Sequence, residues 1–242
     1  MSTSATPKTD TARLWAILIL VAAIAFAVVP VFADPFSGFD PARFPVPVDD
    51  PPIQPVGWAF AIWGVIYLWL IAGAGFGLLR RSDDPDWAAQ RPWAFVSLAV
   101  GACWIPIANA SPVWATILIF VMLVTAAMAL ARSPATDRGW SRWPLGLYAG
   151  WLTAASFVSL ATLAAGYGAS DAALASWIAL PLALVVAVTL SLRLGTPTYP
   201  LAAAWAAMGI AVANWPQAFG WAAAAGAIVL VGLAGAALKR GA

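Results

Sequence analysis

Residues 57–81 read GWAFAIWGVIYLWLIAGAGFGLLRR, twenty-three positions without a charge followed at once by Arg80 and Arg81. A bilayer-crossing helix needs roughly 17 to 25 predominantly apolar residues, and basic residues mark the end that stays in the cytoplasm. This one stretch therefore carries both a membrane span and an orientation. Working outward, seven more apolar stretches can be read, at 14–32, 93–107, 113–131, 144–165, 172–192, 199–213 and 219–238. If all eight cross in turn, Lys8, Arg13, Arg80, Arg81, Arg91, Arg132, Arg138, Arg142, Arg193, Lys239 and Arg240 share one compartment, and only Arg43 lies opposite. That pattern predicts cytoplasmic N and C termini in a bacterial inner membrane. The stretches at 93–107 and 199–213 are short, and seven spans is the alternative count. Dropping one span would invert the charge alternation after it, which favours eight.

Composition points the same way. With 63% hydrophobic and 9% charged residues, and a mean hydropathy of +0.87, the chain lacks the polar surface to coat a soluble domain. The expected fold class is all-α, a polytopic transmembrane helical bundle. Residues 1–13 read as a polar cytoplasmic tail. The run after Arg13 ends in Val31-Phe32-Ala33, similar to a signal-peptidase site, but it is longer than the 7 to 15 residues of a usual signal core. Net charge is +2, and the basic residues are scattered in short flanking groups. They read as topology anchors touching membrane lipid, and nothing suggests nucleic acid as a partner.

Residues 33–56 hold seven prolines beside Asp34, Asp40, Asp49 and Asp50. Such density forbids a regular helix. The loop is either a solvated connector or, because it carries Phe36, Phe39 and Phe44, a lid over the mouth of a binding site. Pro106 and Pro181 inside spans predict kinks or local unwinding. The spacings of Gly73 to Gly77 and of Gly146 to Gly150 allow close helix contacts, within the chain or in a homodimer.

Residue types absent from the chain narrow its function. It has no His and no Glu, and Cys103 is its one cysteine. A zinc site, axial His ligation of haem, an intramembrane His or carboxylate relay and a Ser-His-Asp triad are all excluded. We expect no enzyme, no metal and no cofactor. Instead there are fifteen tryptophans. Trp15, Trp87, Trp93, Trp140, Trp143 and Trp221 lie near span ends, where interfacial belts account for them. At about 100° per residue, Phe60, Trp63 and Tyr67 form one wall of the second span, with Trp58 and Trp69 pointing away. Tyr148, Trp151, Ala155 and Ser159 share a face of the fifth. Two such walls could sandwich a flat hydrophobic ligand, oriented by the tyrosine hydroxyls and Ser159. Helix packing or lipid contact accounts for the same rings without any ligand.

At these residues the chain resembles the tryptophan-rich sensory protein group, TspO/MBR, whose eukaryotic members are called translocator protein. The likeness lies in residues 58–67, WAFAIWGVIY, in residues 144–155, PLGLYAGWLTAA, and in residues 199–210, YPLAAAWAAMGI, which resemble longer bacterial members. The resemblance implies a five-helix core at 14–168, followed by a three-helix extension at 169–242. It also implies a tetrapyrrole, porphyrin-type, sterol or benzodiazepine-like ligand. Phe60, Trp63, Tyr67, Trp104, Tyr148, Trp151 and Ser159 are the candidate ligand contacts. The family's Asn-x-x-Trp is half kept, with Gly101 standing three positions before Trp104. A transporter of a small apolar solute, or a structural or assembly protein without a ligand, is the alternative reading.

Overall fold

The computed structural model describes residues 7–34, 36 and 38–241. Among these it is helical, with no strand. Eight long helices form: α1 (Pro7–Phe32), α2 (Ile62–Arg80), α4 (Arg91–Ala110), α5 (Pro112–Ala131), α6 (Arg142–Gly166), α7 (Ala172–Leu194), α8 (Thr198–Ala213) and α9 (Ala218–Lys239); α3 is a single turn (Pro85–Ala88). Seven are long and apolar enough to cross a membrane, and α8 is the shorter exception. Its 16 residues rise about 24 Å, less than the roughly 30 Å hydrocarbon layer. An Ala-rich helix packed between α6 and α9 satisfies its surroundings through protein contacts.

Several boundaries differ from the sequence reading. Helix α1 starts at Pro7, so part of the expected tail is helical; residues 1–6 lie outside the described residues. Helix α4 is 20 residues long and starts at Arg91. The helices continue through Pro106 and Pro181 without a break. The unwound turn sits elsewhere, at the 3-10 segment Gly57–Ala61 that leads into α2.

Helix α6 is the hub, packing against α2, α5, α7 and α8. Glycine makes this approach possible. A Cβ on Gly150 would collide with the Tyr199 carbonyl oxygen, and one on Gly146 with the Thr198 hydroxyl. The stripe at Gly73 and Gly77 likewise receives the backbone of Trp140 and the ring of Trp87. These small residues therefore serve contacts within the chain.

Two expected surface anchors are instead ties between chain segments, Arg91 buried and Arg142 half-buried. Arg91 is 2% exposed and donates to the carbonyl oxygens of Ala12, Ser82 and Arg81 at 2.9, 2.7 and 2.6 Å. Arg142 donates to Leu194 O and to both oxygens of Ser133, joining the ends of α5, α6 and α7. On the same face, Arg81 bonds Asp137 at 2.7 Å. That bond, and then the carboxylate's charge, holds the Arg81 guanidinium above its usual range. Arg91→Leu would leave three partly buried carbonyls without their donor, and we expect it to cost about 2 kcal/mol. Thermal unfolding in detergent checks this, and an unchanged midpoint would refute the tie.

The Pro-rich loop is folded onto the opposite end of the bundle. Ile53 is 1% exposed and its N–H donates to Ser176 Oγ at 3.2 Å. Val46 N donates to Gly166 O, Asn109 Nδ2 to Asp34 O, and Asn214 Nδ2 to Pro52 O. Several polar side chains within the spans pair with one another or with backbone, as in Thr153 with Tyr199 at 2.7 Å. Such pairing is what the hydrocarbon layer demands.

Candidate functional site

A cavity of about 170 Å³ opens between α1, α2, α4, α5, α6 and α8, roofed by the loop. The two aromatic walls both line it and touch one another. Trp63 and Trp151 meet edge to face with ring centroids 6.1 Å apart, and Phe60 meets Trp151 the same way at 5.7 Å. Trp63 stacks on Tyr67 at 5.3 Å and 19°. Edge-to-face and offset geometries are those that ring quadrupoles favour. Trp58 and Trp69 point elsewhere, as the helical periodicity requires: Trp58 meets Trp205, and Trp69 Nε1 donates to Gly139 O.

Six of the seven candidate residues line the cavity, namely Phe60, Trp63, Tyr67, Trp104, Trp151 and Ser159. Trp104 is 9% exposed and fixed by its Nε1 bond to Ala115 O at 2.9 Å. Tyr148 is the correction. It is fully buried behind Phe26, hydrogen-bonded to Ser97 Oγ at 3.0 Å, and does not line the cavity. Face-sharing on α6 placed it correctly in angle; depth excluded it. Tyr148→Phe should cost about 1 kcal/mol of stability, the usual worth of one such bond, while leaving ligand affinity unchanged. A weakened affinity in a titration would return Tyr148 to the site.

The sequence reading missed Phe26. Its ring lies 5.0 Å from Tyr67, 5.7 Å from Trp63 and 5.5 Å from Tyr148. Nothing along α1 singles it out, because that helix is apolar on every side. Phe26 also accounts for Gly101, since a Cβ there would sit 2.7 Å from the Phe26 ring. An asparagine at position 101 has no room while Phe26 occupies that space. Phe36 and Phe39 of the loop line the cavity, whereas Phe44 packs over Gly166 and anchors the loop. Of the two readings of the loop, cover over a mouth describes Phe36 and Phe39.

Trp87 departs from the interfacial reading in a similar way, being 4% exposed against Gly77 and Phe76. Trp140 stacks on Phe76 at 5.2 Å, and Arg132 lies over Trp93.

The cavity's polar groups are sparse. Trp151 Nε1 is buried without a hydrogen-bond partner among the described residues. Neither the Tyr67 hydroxyl nor Ser159 Oγ makes a bond there, although both residues line the cavity. Lining residues include no carboxylate, ammonium or guanidinium, and no His, Cys, Asp or Glu cluster suited to a metal occurs among the described residues.

A family model described as TSPO-like protein matches residues 47–236. The chain belongs to this TSPO-like family. The match runs from the Pro-rich loop through α2 to most of α9, so the three C-terminal helices fall within it. It leaves α1 outside, although α1 supplies Phe26. No curated protein and no solved structure matches the chain.

Proposed function

We propose that this TspO-type membrane protein binds a flat, hydrophobic, aromatic small molecule in the slot between α2 and α6, as a binder, sensor or facilitator. One observation carries the reading: Trp63 and Trp151, in edge-to-face contact with each other, both line an apolar cavity in which the Tyr67 hydroxyl and Ser159 Oγ have no protein partner. A ligand polar group that bonds the Tyr67 hydroxyl or Ser159 Oγ would gain there, by about 1 kcal/mol. The lining offers no general acid or base of ordinary strength, which supports binding over acid-base catalysis as its role. Lysine and arginine placement supports cytoplasmic termini in a bacterial inner membrane, with lipid as the surrounding partner.

Size restricts the ligand. A cavity of about 150 Å³ holds benzene, and drug-sized sites run from about 300 Å³ upward. At about 170 Å³, one or two fused rings fit. A porphyrin or sterol requires the Phe36 and Phe39 cover to move outward. Titrating purified protein with naphthalene derivatives and with a porphyrin, read by tryptophan quenching, tests the proposal. Saturable quenching is expected, and its absence for both classes would end it.

A further inference from the structure

The end of the slot farthest from the Pro-rich loop is closed by side chains. On each helix the lining residue deepest in the bundle is Tyr67 on α2, Gly101 on α4, Met122 on α5 and Trp151 on α6. Phe26 is the single contribution of α1, and it sits at this level. Its ring is buried and stands edge-on to Tyr67, Trp63 and Tyr148 at 5.0, 5.7 and 5.5 Å. On the side of α4 it reaches this place because position 101 has no side chain: a Cβ there would lie 2.7 Å from the Phe26 ring and 3.1 Å from the Met122 methyl. Behind Phe26 lies Tyr148, whose hydroxyl is taken by Ser97. The floor of the slot is therefore one ring and one thioether methyl, set between helices whose spacing is fixed by backbone contacts such as that of Gly150 with Tyr199.

We propose that Phe26 is the residue that determines ligand size: an aromatic ligand enters until it meets this ring, and a longer fused-ring system is stopped by it. This rests on the ligand-binding reading above and adds a size limit to it. The family match leaves α1 out, so the limit is set outside the matched part of the chain. Two opposite changes follow from the same geometry. Truncating Phe26 lengthens the slot toward Tyr148. Adding a methyl at Gly101 displaces the Phe26 ring, and because Tyr67, Trp63 and Tyr148 hem that ring on its other sides, the open slot is where it can move. The slot is then shorter. Loosening of the bundle alone would change the affinities for small and large ligands in the same direction.

The test uses benzyl alcohol, naphthalenemethanol and pyrenemethanol, which share one hydroxymethyl group and differ in the number of fused rings. Affinities are measured by tryptophan quenching for the native protein, Phe26→Ala, Phe26→Leu and Gly101→Ala. No tryptophan is changed, so the signals compare directly. All four proteins carry the same detergent belt, so partitioning of a given probe cancels between them. Phe26→Leu removes less packing and keeps the test open if Phe26→Ala does not fold.

The native protein should bind naphthalenemethanol about tenfold more tightly than pyrenemethanol. Phe26→Ala should raise pyrenemethanol affinity about tenfold, and Phe26→Leu by less, whereas Gly101→Ala should lower naphthalenemethanol affinity about tenfold and leave benzyl alcohol near its native affinity. Native affinity for pyrenemethanol equal to that for naphthalenemethanol would overturn the size limit and leave the slot standing. So would Phe26 variants that fold without gaining pyrenemethanol affinity, or a Gly101→Ala variant that weakens benzyl alcohol and naphthalenemethanol alike. Failure of every probe to bind the native protein would remove the slot itself, and this inference with it.

Discussion

Trp63→Ala should weaken binding of a naphthalene-type ligand about tenfold, near 1.4 kcal/mol, while the protein still folds. The ring is half-buried and stands on the open side of the slot, stacked on Tyr67 and edge-on to Trp151. Its loss removes one wall from the ligand without deleting the deeper packing formed by Phe26 and Tyr148. Trp151→Ala should weaken binding too, but that ring is 2% exposed, and truncating so buried an aromatic typically costs about 3 to 5 kcal/mol of stability. Trp63→Ala therefore separates binding from folding, and Trp151→Ala does not. A tryptophan-quenching titration of the folded variant decides the matter, and native affinity in Trp63→Ala would place the ligand elsewhere.

Gly150→Val should have the largest effect on stability, about 3 kcal/mol or more. The added carbon meets a carbonyl oxygen and Cα-bound carbons of α8, which cannot rotate aside as a flexible side chain does. Helices α6 and α8 would have to separate, straining the nearby hydrogen bond of Thr153 to Tyr199. Gly232→Val is the control, because nothing lies within 4 Å of that position; its unfolding midpoint should stay near the native one. If the two variants unfold alike, the close contact of α6 with α8 does not hold the bundle together.

How much of the site was legible depended on which elements carried it. Phe60, Trp63 and Tyr67 recur at helical spacing within one short stretch, so their common face follows from the pitch alone. Trp151 and Ser159 on α6 follow by the same rule. Tyr148 obeys it as well and still lies outside the slot, because pitch gives direction around a helix and says nothing of what stands in front. Phe26 fills that space. Arg91 and Arg142 illustrate the same limit. Charge placement marked their end of the bundle, yet only the meeting of several chain segments supplies the carbonyls that accept their hydrogen bonds.

The sequence by itself determined the apolar stretches, the placement of basic residues between them and the shortage of chemistry within them. Hydropathy, charge and the absence of a residue type are properties of each position, and they add along the chain whatever its neighbours in space. Tertiary structure alone decided which rings converge, that α1 contributes Phe26, and that Phe36 and Phe39 roof the slot. In a bilayer, helices are apolar on nearly every side, so they carry no amphipathic stripe to announce an inward face. Their rotation and depth are set by close packing at glycines such as Gly101 and Gly150, and those partners come from distant parts of the chain.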